Sequence, residues 1–244
     1  MKRRMSIGSP AWISTIVDGA GMLGMRLSAK QAEEFAVHAR ELVHWNRKVN
    51  LTAITDPFDM AVKHYLDSII AVPLIDDHMT ADSGASLLDV GSGAGFPGIP
   101  LKIVRPSLSV TLLEARRKRV NYLKQAIRSL QIGGIHVRRQ RFEDVPQEER
   151  FDLIVCRAFA DLEPFVRSAL PMLNGNGMVV AYKGRHDGRL AAEIEGLRAM
   201  EGQGGSGSTK GGGSRIRVAV RQCRLPYIQT ERTLVTVRTL KSLN

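Results

Sequence analysis

Beyond residue 84, short apolar runs rich in branched residues alternate with stretches whose apolar positions recur every three or four residues. The runs fall at 86–90, 109–113, 134–138, 151–156 and 178–182, and the helical patterns at 97–104, 116–130, 161–173 and 189–200. Strands alternating with helices predict an α/β fold, a parallel sheet with helices on both faces. The last two runs differ. RIRVAVRQ at 215–222 and TLVTVRT at 233–239 alternate with a period of two around a segment containing Pro226, which predicts an antiparallel hairpin on one sheet edge. The expected sheet is therefore mainly parallel and seven-stranded, closed by a C-terminal antiparallel hairpin.

The preceding part carries only helical patterns. Ala32, Phe35, Ala36, Ala39, Leu42, Val43 and Trp45 recur at spacings of three and four, so residues 29–49 form an amphipathic helix with Ser28 as its N-cap. Asp56 then caps a second helix with Pro57 at its first position, Met60, Ala61, His64, Tyr65, Ile69 and Ile70 on one face, and Pro73 as its stop. Residues 6–24 are poorly patterned, with a short helix expected around 13–17. Residues 1–78 thus read as an N-terminal helical extension and 79–244 as the main domain, with a polar joint at 80–84. Residues 202–214 contain seven glycines and three serines, a flexible loop spanning roughly 20 Å. No internal repeat is found.

LLDVGSGAGFPGIPL at 87–101 is where chemistry enters. An apolar strand runs into a turn holding Gly91, Gly93, Gly95 and Gly98, and Pro97 stands at or near the start of a helix. Glycines let backbone approach a ligand, and the helix N-terminus offers unpaired N–H groups to an anionic group. GAGFPG fits the G-x-G-x-x-G spacing of dinucleotide sites, while Asp89 followed by Gly91, Gly93 and Gly95 equally fits the S-adenosylmethionine loop of class I methyltransferases. A plain strand-to-helix turn would not need four glycines in eight residues. The terminal hairpin favours the methyltransferase sheet over an NAD-binding oxidoreductase.

Other candidates sit at predicted strand ends, where open α/β sheets bind ligands. Glu114, about 20 residues past the turn, is placed to accept hydrogen bonds from ribose hydroxyls; the plainer alternative is a surface glutamate. Phe142 offers an apolar wall and the Glu143 segment an acceptor for the adenine amine, or else the two staple and cap a short helix. Arg157 follows the fourth strand and suits a carboxylate or phosphate, with Phe159 beside it for stacking on a base or for core packing. Lys183 ends the fifth strand on the same rim. Arg116, Arg117, Lys118 and Arg119 open a helix, where cations oppose the macrodipole, so phosphate contact competes with a merely solvated face. His64 reads as structural, no metal spacing occurs among the six histidines, and no general base stands out.

Net charge is +11 with a pI near 10.1, which favours a polyanionic partner, nucleic acid first. Residues 102–141 hold eleven Lys/Arg against Glu114 alone, and 210–244 hold eight against Glu231 alone. Cys156 and Cys223 belong to no C-x-x-C pair, which fits a reducing cytosol. The basic start, Met1–Met5, is followed by too broken a segment for a secretory leader, and no apolar run approaches the ~18 residues of a membrane span.

The words WNRKVNLTAI at 45–54, KHYLDSI at 63–69, LLDVGSGAGFPGIPLKIVRP at 87–106, LLEARRKRVNYL at 112–123, CRAFADL at 156–162 and YKG at 182–184 occur in one order over roughly residues 35–185. Together they resemble the RsmG (GidB) family of bacterial guanine-N7 methyltransferases acting on 16S ribosomal RNA. The glycine-rich insert and the basic hairpin lie outside the resemblance. It implies a class I, Rossmann-like methyltransferase fold and S-adenosylmethionine as cofactor. By position it implies cofactor contacts at Gly91, Phe96, Phe142, Glu143 and Arg157, with Glu114 on the ribose; Gly93 joins them as part of the glycine turn read above. It also implies 16S RNA or the small ribosomal subunit as partner. The residues themselves offer Arg116, Arg119 and Lys183 as RNA-facing cations and no metal spacing, and a cytoplasmic monomer is expected. A methyltransferase on another nucleic acid or protein, and a non-catalytic RNA-binding scaffold, are the alternatives.

Overall fold

The computed structural model describes residues 5–79, 84–157, 161–201 and 215–240. Seven strands form one sheet: β1 (Ser86–Val90), β2 (Ser109–Leu113), β3 (Ile135–Arg138), β4 (Phe151–Cys156), β5 (Leu173–Lys183), β6 (Arg215–Arg224) and β7 (Glu231–Leu240). Their order is β3-β2-β1-β4-β5-β7-β6. The first five pair in parallel, β7 runs antiparallel to β5 with Thr233 opposite Lys183, and β6 pairs with β7 as a hairpin.

Side-chain alternation splits the strands between two apolar clusters. Leu87, Val110, Leu112, Leu153, Val155, Met178 and Val180 face one way. They meet α1 (Pro10–Met22), α2 (Ala29–Asn46), α6 (Gly98–Val104) and α7 (Arg117–Leu130). Leu88, Val90, Ile154, Val179 and Ala181 face the other way, under α8 (Leu162–Ala169) and α9 (Gly188–Ala199). The first cluster runs unbroken from Trp12 through Phe35 and Tyr65 to the sheet, so the N-terminal helices are packed against it as part of one layer.

Ser28 caps α2 as expected, in a reciprocal capping box: the Gln31 N–H donates to Ser28 Oγ at 3.2 Å and the Ser28 N–H to Gln31 Oε1 at 2.9 Å. Asp56 Oδ1 accepts from the Asp59 N–H, starting α3 (Pro57–Met60). Three expectations are corrected. The first helix, expected only around 13–17, runs over the whole of α1, with Pro10 at its first position behind the Ser9 cap, where a missing N–H costs nothing. Pro73 likewise lies in the first turn of α5 (Val72–Asp76), while the preceding helix passes through a π-helical turn, Ala61–Leu66, and ends with α4 (Asp67–Ile69). The helix expected to reach residue 173 stops at Ala169, because Pro171 ends it in a short 3-10 turn, and β5 begins at Leu173 rather than 178. The loop at 202–214 and Phe159 lie outside the described residues.

Candidate active site

The turn after β1 is braced on β2. Gly91 and Ser92 both donate their N–H to the Leu113 carbonyl, at 2.9 and 3.0 Å. Gly91 and Gly93 have φ of 72° and 57°, a region costly for a residue with a Cβ. A Cβ on Gly91 would meet nothing within 4 Å, so this stretch of backbone is bare towards a cleft of about 290 Å³. Gly98 is tight for the opposite reason: a Cβ there would stand 2.7 Å from Asp89 Oδ2.

Glu114 directly follows β2, buried, and spans the turn. Its Oε2 accepts from the Gly93 N–H at 3.1 Å and its Oε1 from the Arg116 N–H at 2.8 Å. Arg119 Nη1 lies 3.7 Å from the same carboxylate. The cleft is walled by Gly91, Glu114, Arg119, Gln140, Phe142 and Glu143. Phe142 is held by its ring against Phe165 at 5.5 Å, whereas Glu143 is exposed at the rim.

Strand alternation turns Asp89 to the same face as Leu87, beneath the start of α6. Its Oδ2 accepts from the Gly98 N–H at 3.0 Å, and its Oδ1 is buried with no hydrogen-bond partner. Burial raises its pKa to about 7, against the opposing pull of the Gly98 N–H. A buried carboxylate with an orphaned oxygen beside a bare glycine turn is suited to a cationic ligand. The sequence signal for it was available: an acid at an inward position of a strand buried on both faces.

Three candidates stand apart from the cleft. The Phe96 ring is buried against the N-terminal helices, stacked on His64 with centroids 4.6 Å apart and 5.2 Å from the His38 ring. Its side chain therefore packs the turn onto the helices. Arg157 lies over the other side of that cluster, its guanidinium carbon 5.0 Å from the Phe96 centroid. It donates to the Lys63 carbonyl and to His64 Nδ1, each at 3.3 Å, and pairs with the buried Asp67 at 3.6 Å. Lys183 does end β5, but its ammonium lies 3.4 Å from Glu193 Oε2 on α9. Arg116 is exposed at the start of α7. Arg119, expected to face RNA, instead lines the cleft beside Glu114.

Two histidines brace this arrangement. Tyr65 and Tyr122 bond His38 Nδ1 and Nε2 at 3.1 and 2.9 Å, and Tyr122 Oη lies 3.3 Å from the Ala94 carbonyl in the glycine turn. One proton arrangement satisfies every group: Tyr65 donates to Nδ1, Nε2–H donates to Tyr122, and Tyr122 donates to Ala94. His64 Nε2 meets Thr52 Oγ1 at 2.9 Å. Burial lowers both imidazole pKa values to about 3. Among the described residues no cluster of three or more side chains is arranged to hold a metal ion, and no helix is long and apolar enough to cross a membrane.

Residues 31–203 match the family model GidB, rRNA small subunit methyltransferase G. A ribosomal RNA small subunit methyltransferase G of Geobacter sp. (strain M21) is 42% identical over 182 residues, covering 74% of this chain and 80% of that protein. Its counterpart in Geobacter sulfurreducens is 37% identical over 224 residues, covering 90% and 94%. The crystal structure of M. jannaschii TYW2 in complex with AdoMet shares the fold, with a TM-score of 0.51 and 14% identity over 72% of this chain and 77% of that one. The chain belongs to the rRNA small subunit methyltransferase G family, and the dinucleotide-dependent oxidoreductase that the glycine spacing alone allowed is set aside.

Proposed function

We propose that this protein transfers a methyl group from S-adenosylmethionine to N7 of a guanosine in 16S ribosomal RNA, acting in the cytoplasm as a monomer on the RNA or the small subunit. The observation that carries the cofactor assignment is the pairing of a bare glycine turn with the buried, half-satisfied Asp89 carboxylate. When bound, the cofactor supplies a methyl group on a positively charged sulfur. Asp89 then gains the cation its orphaned oxygen lacks. Glu114 keeps lone pairs for ribose hydroxyls while its backbone bonds hold the turn in shape. Phe142 and the Glu143 segment close the cleft over the base. Arg157, held over Phe96 and paired with Asp67 until ligand binds, takes a carboxylate or phosphate, Phe96 supports the turn from behind, and Gly93 stays bare to admit the ligand.

N7 of guanine carries a lone pair and no proton, so the reaction requires no base. His38 and His64, neutral and fully bonded, are accordingly free to serve as struts. The protein's task is to align donor and acceptor and exclude water, which can lower a barrier by about 7–11 kcal/mol. Basic side chains, Arg116 and Lys183 among them, neutralise RNA phosphates. Residues 1–78 serve as a helical buttress for the turn and 79–244 as the catalytic domain. The test uses labelled S-adenosylmethionine and small subunits from a strain lacking the enzyme. One labelled guanosine, mapped by nuclease digestion and mass spectrometry, is expected; label in protein or in another RNA would overturn the substrate, and no label the activity.

A further inference from the structure

We infer that the rim between the end of β5 and the turn end of the β6–β7 hairpin holds a backbone phosphate of the RNA substrate, with Arg185 and Arg224 as its ligands. The inference rests on the RNA methylation proposed above. The antiparallel register puts Thr233 of β7 beside Lys183 of β5, and Arg224 of β6 opposite Glu231. The hairpin's turn end and the segment after β5 therefore share the carboxyl rim on which the glycine turn lies.

A cavity of about 530 Å³ opens there, lined by Arg185, Arg224, Gln229, Thr230, Glu231 and Arg232. Arg232 is already committed: Nε and Nη2 reach the Asp67 carboxylate at 2.7 and 3.3 Å. Asp67 also pairs with Arg157, so one buried carboxylate joins this cavity to the Phe96–His64 stack behind the glycine turn. Arg185 and Arg224 are held far more loosely. Their side chains are 82% and 69% exposed, and both rely on Glu231, at 3.5 and 3.9 Å. Long ion pairs between exposed side chains contribute little. Two guanidiniums facing one carboxylate leave a positive charge over, and guanidinium forks match phosphate oxygens two at a time. Gln229 and Thr230 add neutral polar groups to the same wall.

Position agrees with charge. The cofactor cleft lies over β1, β2 and the segment after β3, and this cavity over β5, β7 and β6, on the opposite side of the sheet's centre. An RNA strand delivering a base to the centre would cross it. In this picture Glu231 holds the two arginines in place until a phosphate displaces it.

The experiment measures methylation of unmodified small subunits at several salt concentrations. Arg185→Ala with Arg224→Ala is expected to raise KM for subunits by about tenfold. It should also flatten the salt dependence by about 0.7 in log–log slope for one lost phosphate contact, with KM for S-adenosylmethionine unchanged. Glu231→Gln, removing the competitor, is expected to lower KM for subunits. All three side chains are exposed, so thermal unfolding should match the wild type. An unchanged subunit KM and salt slope in the double variant, or a Glu231→Gln effect in the same direction as the double variant, overturns the site. A wild-type protein that methylates no subunit removes the reading beneath it; an active wild type with an indifferent double variant removes this site alone.

Discussion

The His64 imidazole stacks on the Phe96 ring, centroids 4.6 Å apart and planes 17° from parallel. His64 comes from the π-helical turn of the N-terminal helices and Phe96 from the glycine turn, so this contact fastens one to the other. Arg157 covers the same ring and donates to the same imidazole. Phe96→Ala removes the shared surface and is expected to destabilise the protein by about 3–5 kcal/mol. Denaturant unfolding measures the loss. Calorimetric titration with S-adenosylmethionine should show weaker binding, with Phe96→Leu recovering most of both.

Gly93 separates ligand binding from stability. Its φ of 57° is strained for a β-branched side chain, at a cost of roughly 1–3 kcal/mol. A Cβ there would contact only the Gly91 carbonyl, at 3.7 Å, and Arg119 Nη1, at 3.8 Å. Gly93→Val should therefore keep a folded circular dichroism spectrum while losing detectable cofactor binding by calorimetry. Normal affinity would detach the glycine turn from the cofactor.

Arg116 and Arg119 stand three residues apart on one basic helix yet face different surroundings. Arg119 is tied to Glu114 at the cleft, while Arg116 is exposed. Arg119→Ala is expected to raise KM for S-adenosylmethionine several-fold. Arg116→Ala should raise KM for subunits and leave the cofactor value alone. Steady-state kinetics with each substrate varied in turn checks the division.

The contrast between these two arginines shows what the sequence could and could not carry. Sheet and helix positions followed from periodicity, because each strand from β1 to β4 is a short apolar run bounded by turn residues. The glycine turn followed from composition alone. The early start of β5 did not, because LNGNG reads as a turn until its register on β4 is seen. The π-helical turn at Ala61–Leu66 left no local trace. Nor could spacing tell that Phe96 points into the helices or that Arg119 folds back onto Glu114. The first direction is set by His38, His64 and Arg157, distant in sequence, and the second by how the turn between β2 and α7 folds Glu114 against Gly93.

Asp89 gives a pH dependence with a definite sign. Its pKa, about 7 in the folded chain against an ordinary 3.8, means that folding favours the protonated acid. Its contribution to ligand-free stability is full below pH 4 and is lost as pH rises through 7. A cationic ligand reverses the preference. Affinity for S-adenosylmethionine should climb by up to about tenfold per pH unit between pH 5 and 7 and level off above. Asp89→Asn should abolish that climb, and calorimetry across this range decides it.

The two buried imidazoles act in the opposite sense. His38 and His64 have pKa values near 3 in the folded chain but 6.5 when exposed, so unfolding takes up protons below pH 6.5. Their stabilisation is complete above pH 6.5 and is lost as pH falls towards 3. Each contributes a slope of about 1.4 kcal/mol per pH unit inside that window. Asp89 opposes with one proton between pH 4 and 7, leaving about one proton's slope in the acid direction from these three groups. Urea midpoints should therefore drop steadily below pH 6.5. His64→Gln should make the drop shallower by one proton, and long-range nitrogen–proton NMR at pH 5 should show both imidazoles neutral, with His64 protonated on Nε2. An imidazolium signal from either ring at pH 5 would mean that water reaches the stack, and the struts behind the glycine turn would have to be reassigned.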